Sequence, residues 1–292
     1  MHIRVIGIVL AALVLFAAPV SIPTAYSQDT FVFTAIPDQD EAHLRTRFGK
    51  IADHLSDELG IKVEYIPVKS YAAAVTAFRN NQVQLAWFGG LSGVQARQAV
   101  PGSVALAQGV EDENFVSYFI AHTSTGLTES SDFPAAIAGK TFTFGSKGST
   151  SGRLMPEYFI RNQFKKSPED VFSRVGFSGD HSRTIALVQS GAYEVGALNF
   201  AVWDKELSEG RIDPKKVQVI WRTPTYPDYQ WTIRGDADNK FGADFTNRVR
   251  AALLNITDPA ELKAFPRSGF IPATNDDYEP ILRVGKEIGI LD

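Results

Sequence analysis

Two rhythms of apolar residues alternate along the chain. Short, nearly continuous apolar runs read as strands buried on both faces. Longer stretches with apolar residues three or four apart read as amphipathic helices. "TFVFTAIP" (30–37) is the first run. "EAHLRTRFGKIADHLSDELG" follows, with Leu44, Phe48, Ile51, Leu55 and Leu59 on one helical face and Gly60 as a stop. "KVEYIPV" predicts a strand, "SYAAAVTAFRNN" a helix capped by Ser70, "VQLAWFGG" a strand ending in a glycine pair, and "LSGVQARQAV" a helix. "VALAQGV" and "VSYFIAH" predict two further strands. After "TSTG" (123–126) the alternation restarts. "KTFTFG", "SRVGFSG", "YEVGALNF" and "KKVQVIW" predict strands, separated by the helices "STSGRLMPEYFIRNQF", "HSRTIALVQSG" and "AVWDKELSEG". "TPTYPDYQWTI" reads as an extended, proline-broken crossing. "FGADFTNRVRAALLNI", "PAELKAF" and "YEPILRVGKEIGIL" make the C-terminal part mostly helical.

Repeated β-α units predict an α/β fold of mixed sheets flanked by helices. The second run of units reads as an insertion, which divides the chain into lobe 1 (28–122 plus 223–292) and lobe 2 (123–222). Sheets of this kind bind ligands beyond the carboxyl ends of their strands, so two facing lobes would place a site in the cleft between them. A hydrophobic content of 44% over 292 residues is ample for such cores. The formal charge of −4 and the lack of basic runs give no footprint for nucleic acid.

The N-terminus changes the expected compartment. "MHIR" is a short basic start, "VIGIVLAALVLFAAPV" has the length of a signal-peptide core, and Ala25 and Ser27 place small residues before a cleavage site after Ser27. A membrane anchor is the alternative, for which the apolar core is short. Export to a bacterial periplasm fits a chain with no cysteine at all, which also excludes disulfides and thiolate metal sites.

The candidate chemistry sits at strand ends. In "GSKGSTSGRLMP", Ser149, Thr150 and Ser151 follow a strand and open a helix, where free N–H groups, a partial positive charge and hydroxyls could receive an anion. An ordinary helix cap is the plain alternative. The stretch lacks the Gly-Lys-Ser/Thr ending of a nucleotide-binding loop. His181 begins a helix at the same edge and could donate to an anion or bond locally. His43, His54 and His122 share no metal-ligand spacing, and no cofactor is expected. Tyr71, Trp87, Phe88, Tyr226, Asp228, Tyr229 and Trp231 all map to strand ends or the crossing. Each could be core; together they could wall a cleft. Serine, histidine and aspartate permit a hydrolase triad on paper, but no Gly-x-Ser-x-Gly elbow is present.

"FTAIPDQD…RFGKIADHL", "IPVKSYAAAVTAF", "VQLAWFGGLSGVQAR", "GSTSGRLMP" and "TPTYPDYQWT" together resemble the periplasmic substrate-binding proteins of phosphonate/phosphite-type ABC importers, closest to a branch named for selenate binding. The likeness runs through the whole chain after the leader. It implies a type II two-lobed periplasmic-binding fold closing on its ligand, an inner-membrane permease as partner, a monomer and no enzymatic activity. It also implies that Ser149, Thr150 and Ser151 hold the phosphonyl oxygens, with Tyr71, Trp87 or Phe88, and His181 around them. Family members that take aminoalkylphosphonates hold the amine with acidic residues in lobe 2 and the crossing. Here the first region reads "ALNFAVW" without a carboxylate, and the crossing keeps Asp228, displaced by about one position. This departure disfavours a large amine-bearing ligand. An ionised Asp228 would accept from a protonated phosphite or phosphonate and repel a fully deprotonated selenate, whereas the branch name favours selenate. A ligand-presenting sensor is a further reading of the same fold.

Overall fold

The computed structural model describes residues 30–292, so the leader predicted over 1–27 lies outside the described residues. The first stretch runs β1 (Phe31–Ala35), α1 (Glu41–Leu59), β2 (Val63–Tyr65), α2 (Tyr71–Arg79), β3 (Leu85–Phe88), α3 (Gly90–Ala99), β4 (Val104–Gly109) and β5 (Ser117–His122). The middle runs β6 (Thr141–Phe144), α4 (Met155–Phe164), α5 (Pro168–Val171), β7 (Arg174–Phe177), α6 (His181–Gln189), β8 (Val195–Asn199), α7 (Phe200–Ser208) and β9 (Val217–Arg222). The last runs β10 (Gln230–Ile233), α8 (Ala237–Phe241), α9 (Phe245–Leu254), α10 (Pro259–Ala264), β11 (Phe270–Pro272) and α11 (Glu279–Glu287).

The strands form two mixed sheets, in the orders β11-β4-β10-β3-β1-β2 and β7-β6-β8-β5-β9. In the first, β1 runs parallel to β2 and β3 while β10 is antiparallel to β3 and β4. In the second, β6 runs parallel to β7 and β8 while β5 is antiparallel to β8 and β9. Each sheet has its own apolar core. Around the first, Phe33, Phe48 and Trp231 pack edge to face and Phe31 packs likewise on Phe245, and around the second Phe119, Phe133 and Trp221 do the same. Edge-to-face contact suits the quadrupoles of these rings.

Sheet membership moves one expected boundary. β5 pairs with β8 and β9, so the first crossing lies between Gly109 and Ser117 and not at residue 122. The apolar run of β5 carries no mark of which sheet it joins; pairing decides it. A second difference is β11, a three-residue edge strand in a region read as helical. Its proline ends the run, and so short a segment has no period to detect. The two crossings bond to each other where Phe115 and Tyr226 exchange N–H···O bonds of 2.9 and 3.0 Å, and again where the Asp228 N–H donates to the Asp112 carbonyl at 3.0 Å. Among the described residues no helix is long and apolar enough to cross a membrane.

Candidate functional site: donors around a buried carboxyl between two lobes

Ser149 ends the turn after β6 in extended conformation, and its Oγ accepts the Gly152 N–H at 2.9 Å. The hydroxyl hydrogen of Ser149 is therefore free to donate elsewhere. The next five residues, Thr150–Leu154, form a π turn closed by the Leu154 N–H on the Ser149 carbonyl. Such turns widen a helix start at functional sites. Thr150 Oγ1 reaches across to the first lobe and accepts the Leu91 N–H at 2.9 Å. Ser151 Oγ is buried with no hydrogen-bond partner, while its carbonyl accepts from Ser117 Oγ at 2.7 Å.

His181, the first residue of α6, is fully buried. Its Nδ1 accepts the Asn199 N–H at 3.3 Å, which puts the ring proton on Nε2. Nε2 stands 3.4 Å from the Tyr229 hydroxyl. Burial pushes the imidazole down to about 4, against the pull of the Asp38 carboxylate. His181 is thus a neutral Nε2–H donor at physiological pH. Its backbone N–H donates to the Asp38 carbonyl at 3.1 Å, a second bond between the lobes.

The facing wall comes from the first lobe and the second crossing. Tyr71 starts α2 behind its Ser70 cap, and its hydroxyl is buried with no partner. Burial holds the phenol well above its usual range, with the Asp38 and Asp228 charges adding to that. Asp228 Oδ1 accepts the Gly90 N–H at 3.0 Å, at the N-terminus of α3, whereas Oδ2 is buried without a partner. Burial raises this carboxyl to about 7, in spite of the Gly90 N–H and the Thr150 and Ser151 hydroxyls, which favour the charged form. Tyr229 OH accepts from Asn199 Nδ2 at 2.9 Å, and its ring stacks on Trp87 with centroids 5.5 Å apart. Trp231 stands behind Trp87, packed on Phe33 and Phe48.

The fold therefore gathers Tyr71, Ser149, Thr150, Ser151, His181, Asp228 and Tyr229 at one enclosed place, with Trp87 backing it. Phe88 is not among them. Successive residues of a strand point to opposite faces, and Phe88 turns into the core against Phe78, 5.6 Å between centroids. Two further residues lie against this cluster. Asp38, three residues past the end of β1, is buried and acts on His181, Tyr71 and Tyr229 alike. Asn199 fixes both His181 and Tyr229. Asp38 stands where a strand ends, the same signal that picked out Trp87.

A family model described as "ABC transporter, phosphonate, periplasmic substrate-binding protein" matches residues 33–278. The chain belongs to this family. It is 40% identical over 261 residues to the protein of Prochlorococcus marinus (strain MIT 9301) named "Probable ABC transporter phosphite binding protein PhnD1", covering 87% of this chain and 88% of that one. The solved structure of that protein in complex with methylphosphonate superposes with a TM-score of 0.85, covering 89% of this chain and 98% of the other. A binding-protein component of an ABC phosphonate transporter from Pseudomonas aeruginosa shares the fold, at 22% identity and a TM-score of 0.77 over 88% of this chain and 86% of that one. The phosphate-import protein PhnD of Mycolicibacterium smegmatis is 22% identical over 88% of this chain and 85% of its own length. The two-lobed periplasmic-binding fold is thereby established, whereas none of these relatives bears the selenate name.

Proposed function

We propose that this chain is the periplasmic receptor of an ABC importer for a small phosphorus oxyanion bearing one proton, phosphite or a small phosphonate such as methylphosphonate. The observation that carries the reading is a buried carboxyl among donors. Ser149, Ser151, Tyr71, Tyr229 and His181 offer hydrogens, and Asp228 Oδ2, buried beside them with no hydrogen-bond partner, offers an acceptor, whereas the other such oxygen, Asp38 Oδ1, has the Arg47 guanidinium 3.7 Å away. A ligand P–OH satisfies that oxygen, and an unprotonated oxyanion does not. The raised carboxyl refines the argument made from sequence. With its midpoint near 7, Asp228 can itself hold the proton, so sulfate and selenate are not repelled outright. They bind only to the protein whose Asp228 is protonated, and lose affinity above pH 7, whereas phosphite and methylphosphonate give up their last proton near neutral pH and are basic enough to share one with Asp228. The Tyr71 and Tyr229 rings receive the P–H or P–CH₃ group, and phosphate would leave its extra hydroxyl unpaired against them.

The named ligands of the P. marinus relative support this choice. A receptor role without catalysis is supported by the His181 ring, whose nitrogens face the Asn199 N–H and the Tyr229 hydroxyl and not a serine. We place the moving bodies at 30–116 with 223–292 and at 117–222, and read the receptor as a monomer released from its leader after Ser27 and docking on an inner-membrane permease.

Asp228→Asn tests the reading by calorimetry with phosphite and sulfate at pH 8. A hydrogen bond to a charged group contributes roughly 1.5–3 kcal/mol, so the preference for phosphite over sulfate should fall about 10- to 100-fold. An unchanged preference refutes the role of Asp228.

A further inference from the structure

The first crossing begins with a short turn, Val110–Asp112, and Asp112 is completely buried. Its carboxylate takes both arms of the Arg267 guanidinium, from Nε at 2.7 Å and Nη2 at 2.8 Å, and also the Gly109 N–H at 3.0 Å. Its carbonyl accepts the Asp228 N–H at 3.0 Å. Arg267 comes from the segment before β11 and is nearly as buried. Its guanidinium lies 5.3 Å from the centroid of the Tyr229 ring, 5.9 Å from Trp87 and 5.7 Å from Phe115. The packing leaves no slack: a Cβ on Gly109 would stand 2.5 Å from Asp112 Oδ2 and 2.6 Å from Arg267 Cδ.

The pair therefore joins both crossings and the C-terminal segment at a single point. That point lies on the first-lobe side of the Phe115–Tyr226 contact. On the other side, Ser117 ties the same contact to the anion turn, its Oγ on the Ser151 carbonyl and 2.6 Å from the Tyr226 hydroxyl. Asp228 is held at its N–H by Asp112 and at Oδ1 by Gly90, so the direction of its free Oδ2 depends on the first of these supports. The Tyr229 ring depends on the guanidinium under it.

We infer that the buried Asp112–Arg267 pair is a positioning element for ligand binding, which anchors the hinge and thereby aims Asp228 Oδ2 and the Tyr229 hydroxyl at the ligand. Neither member touches the ligand. A salt bridge this deep is weak evidence for stability, since well-packed apolar groups often serve as well, and its arrangement here is accounted for by register. The inference rests on the proposed role of Asp228.

Arg267→Lys keeps the charge and loses the two-pronged grip and the flat face. Two readouts are taken on folded protein. One is affinity for methylphosphonate and phosphite. The other is the titration of the Asp228 carboxyl, followed by carbon NMR in the unliganded protein and assigned with Asp228→Asn. Asp228 faces the Asp112 charge, the Thr150 and Ser151 hydroxyls, Gly90 N–H and the phenols of Tyr71, Tyr226, Tyr229 and Tyr278, so a displaced backbone changes its midpoint. The expected result is affinity weaker by about tenfold or more together with a midpoint moved by about half a unit or more. Where Arg267→Lys does not fold, Asp112→Asn, which keeps every heavy atom, is measured in the same way. Affinity within twofold of the parent and an unmoved Asp228 midpoint overturn the inference. A parent protein that binds neither ligand defeats the functional reading instead, and the Asp228 titration still decides this one.

Discussion

Burial acts on His181 and Asp228 with opposite sign, and the two effects can be separated. Asp228 goes from an ordinary 3.8 to about 7, so between those values the folded protein keeps a proton that the unfolded chain has lost. Stability from this group falls as pH rises through that window. His181 goes from 6.5 to about 4, so there the unfolded chain binds the proton that the folded one refuses. Stability from His181 falls as pH drops through that window. The two contributions oppose each other from about pH 4 to 6.5. Asp228→Asn should gain most over the parent in thermal stability toward pH 8, and His181→Gln should gain most toward pH 4. Melting curves across this range check both, and parallel shifts at every pH contradict the assigned protonation states. Hydroxyl by hydroxyl, Ser151→Ala removes a hydroxyl that stands beside Asp228 and Tyr226, and Tyr71→Phe one that stands beside Ser149. Each should weaken methylphosphonate binding by roughly 10- to 100-fold with little change in the unliganded melting temperature. Thr150→Val removes the bond to Leu91, so calorimetry on it reports the loss of a lobe-to-lobe contact.

At the scale of elements, helices and strands were largely legible, because apolar period and end signals agree locally. Ser70 and Ser149 both cap as their positions suggest. The elements that sequence reasoning misplaced lack a local signal. β5 is apolar on both faces in either sheet, β11 has three residues, and Phe88 differs from Trp87 only by the parity of its strand. The cluster that forms the candidate site was legible for the same reason as the fold: the strand ends that face each other carry the hydroxyls, the histidine and the aromatic residues. Asp38 and the Asp112–Arg267 pair escaped because their roles depend on contacts over 155 residues for the pair and on depth rather than on any pattern. The close approach of the lobes gives a test at this scale. A Cβ on Gly148 would lie 3.1 Å from the Tyr71 Cβ, on the opposite lobe. Gly148→Val should therefore hinder closure, weaken binding by at least about tenfold, and leave the unliganded melting temperature nearly unchanged. Calorimetry and melting together check this; tight binding by the folded variant would show that the lobes need not meet there.

For the whole molecule, bonds cross between the lobes at the candidate site from Thr150 to Leu91, from His181 to Asp38 and Tyr229, and from Asn199 to Tyr229. The two crossings are bridged at Phe115 and Tyr226 and bonded again from the Asp228 N–H to the Asp112 carbonyl, which places the bend beside this narrow contact. Opening would expose Asp228 and the donors together, and ligand would favour closure by binding them together. Small-angle scattering should record a smaller radius of gyration on adding methylphosphonate, and a profile that is the same with and without saturating ligand would argue against motion about this hinge. Which anion fits the donors around the Asp228 carboxyl is tested most directly by calorimetry of residues 28–292 at pH 8 with phosphite, methylphosphonate, phosphate, sulfate and selenate. Phosphite or methylphosphonate should bind in the micromolar range or tighter, with sulfate and selenate at least about 100-fold weaker; selenate binding as tightly as phosphite would contradict the account.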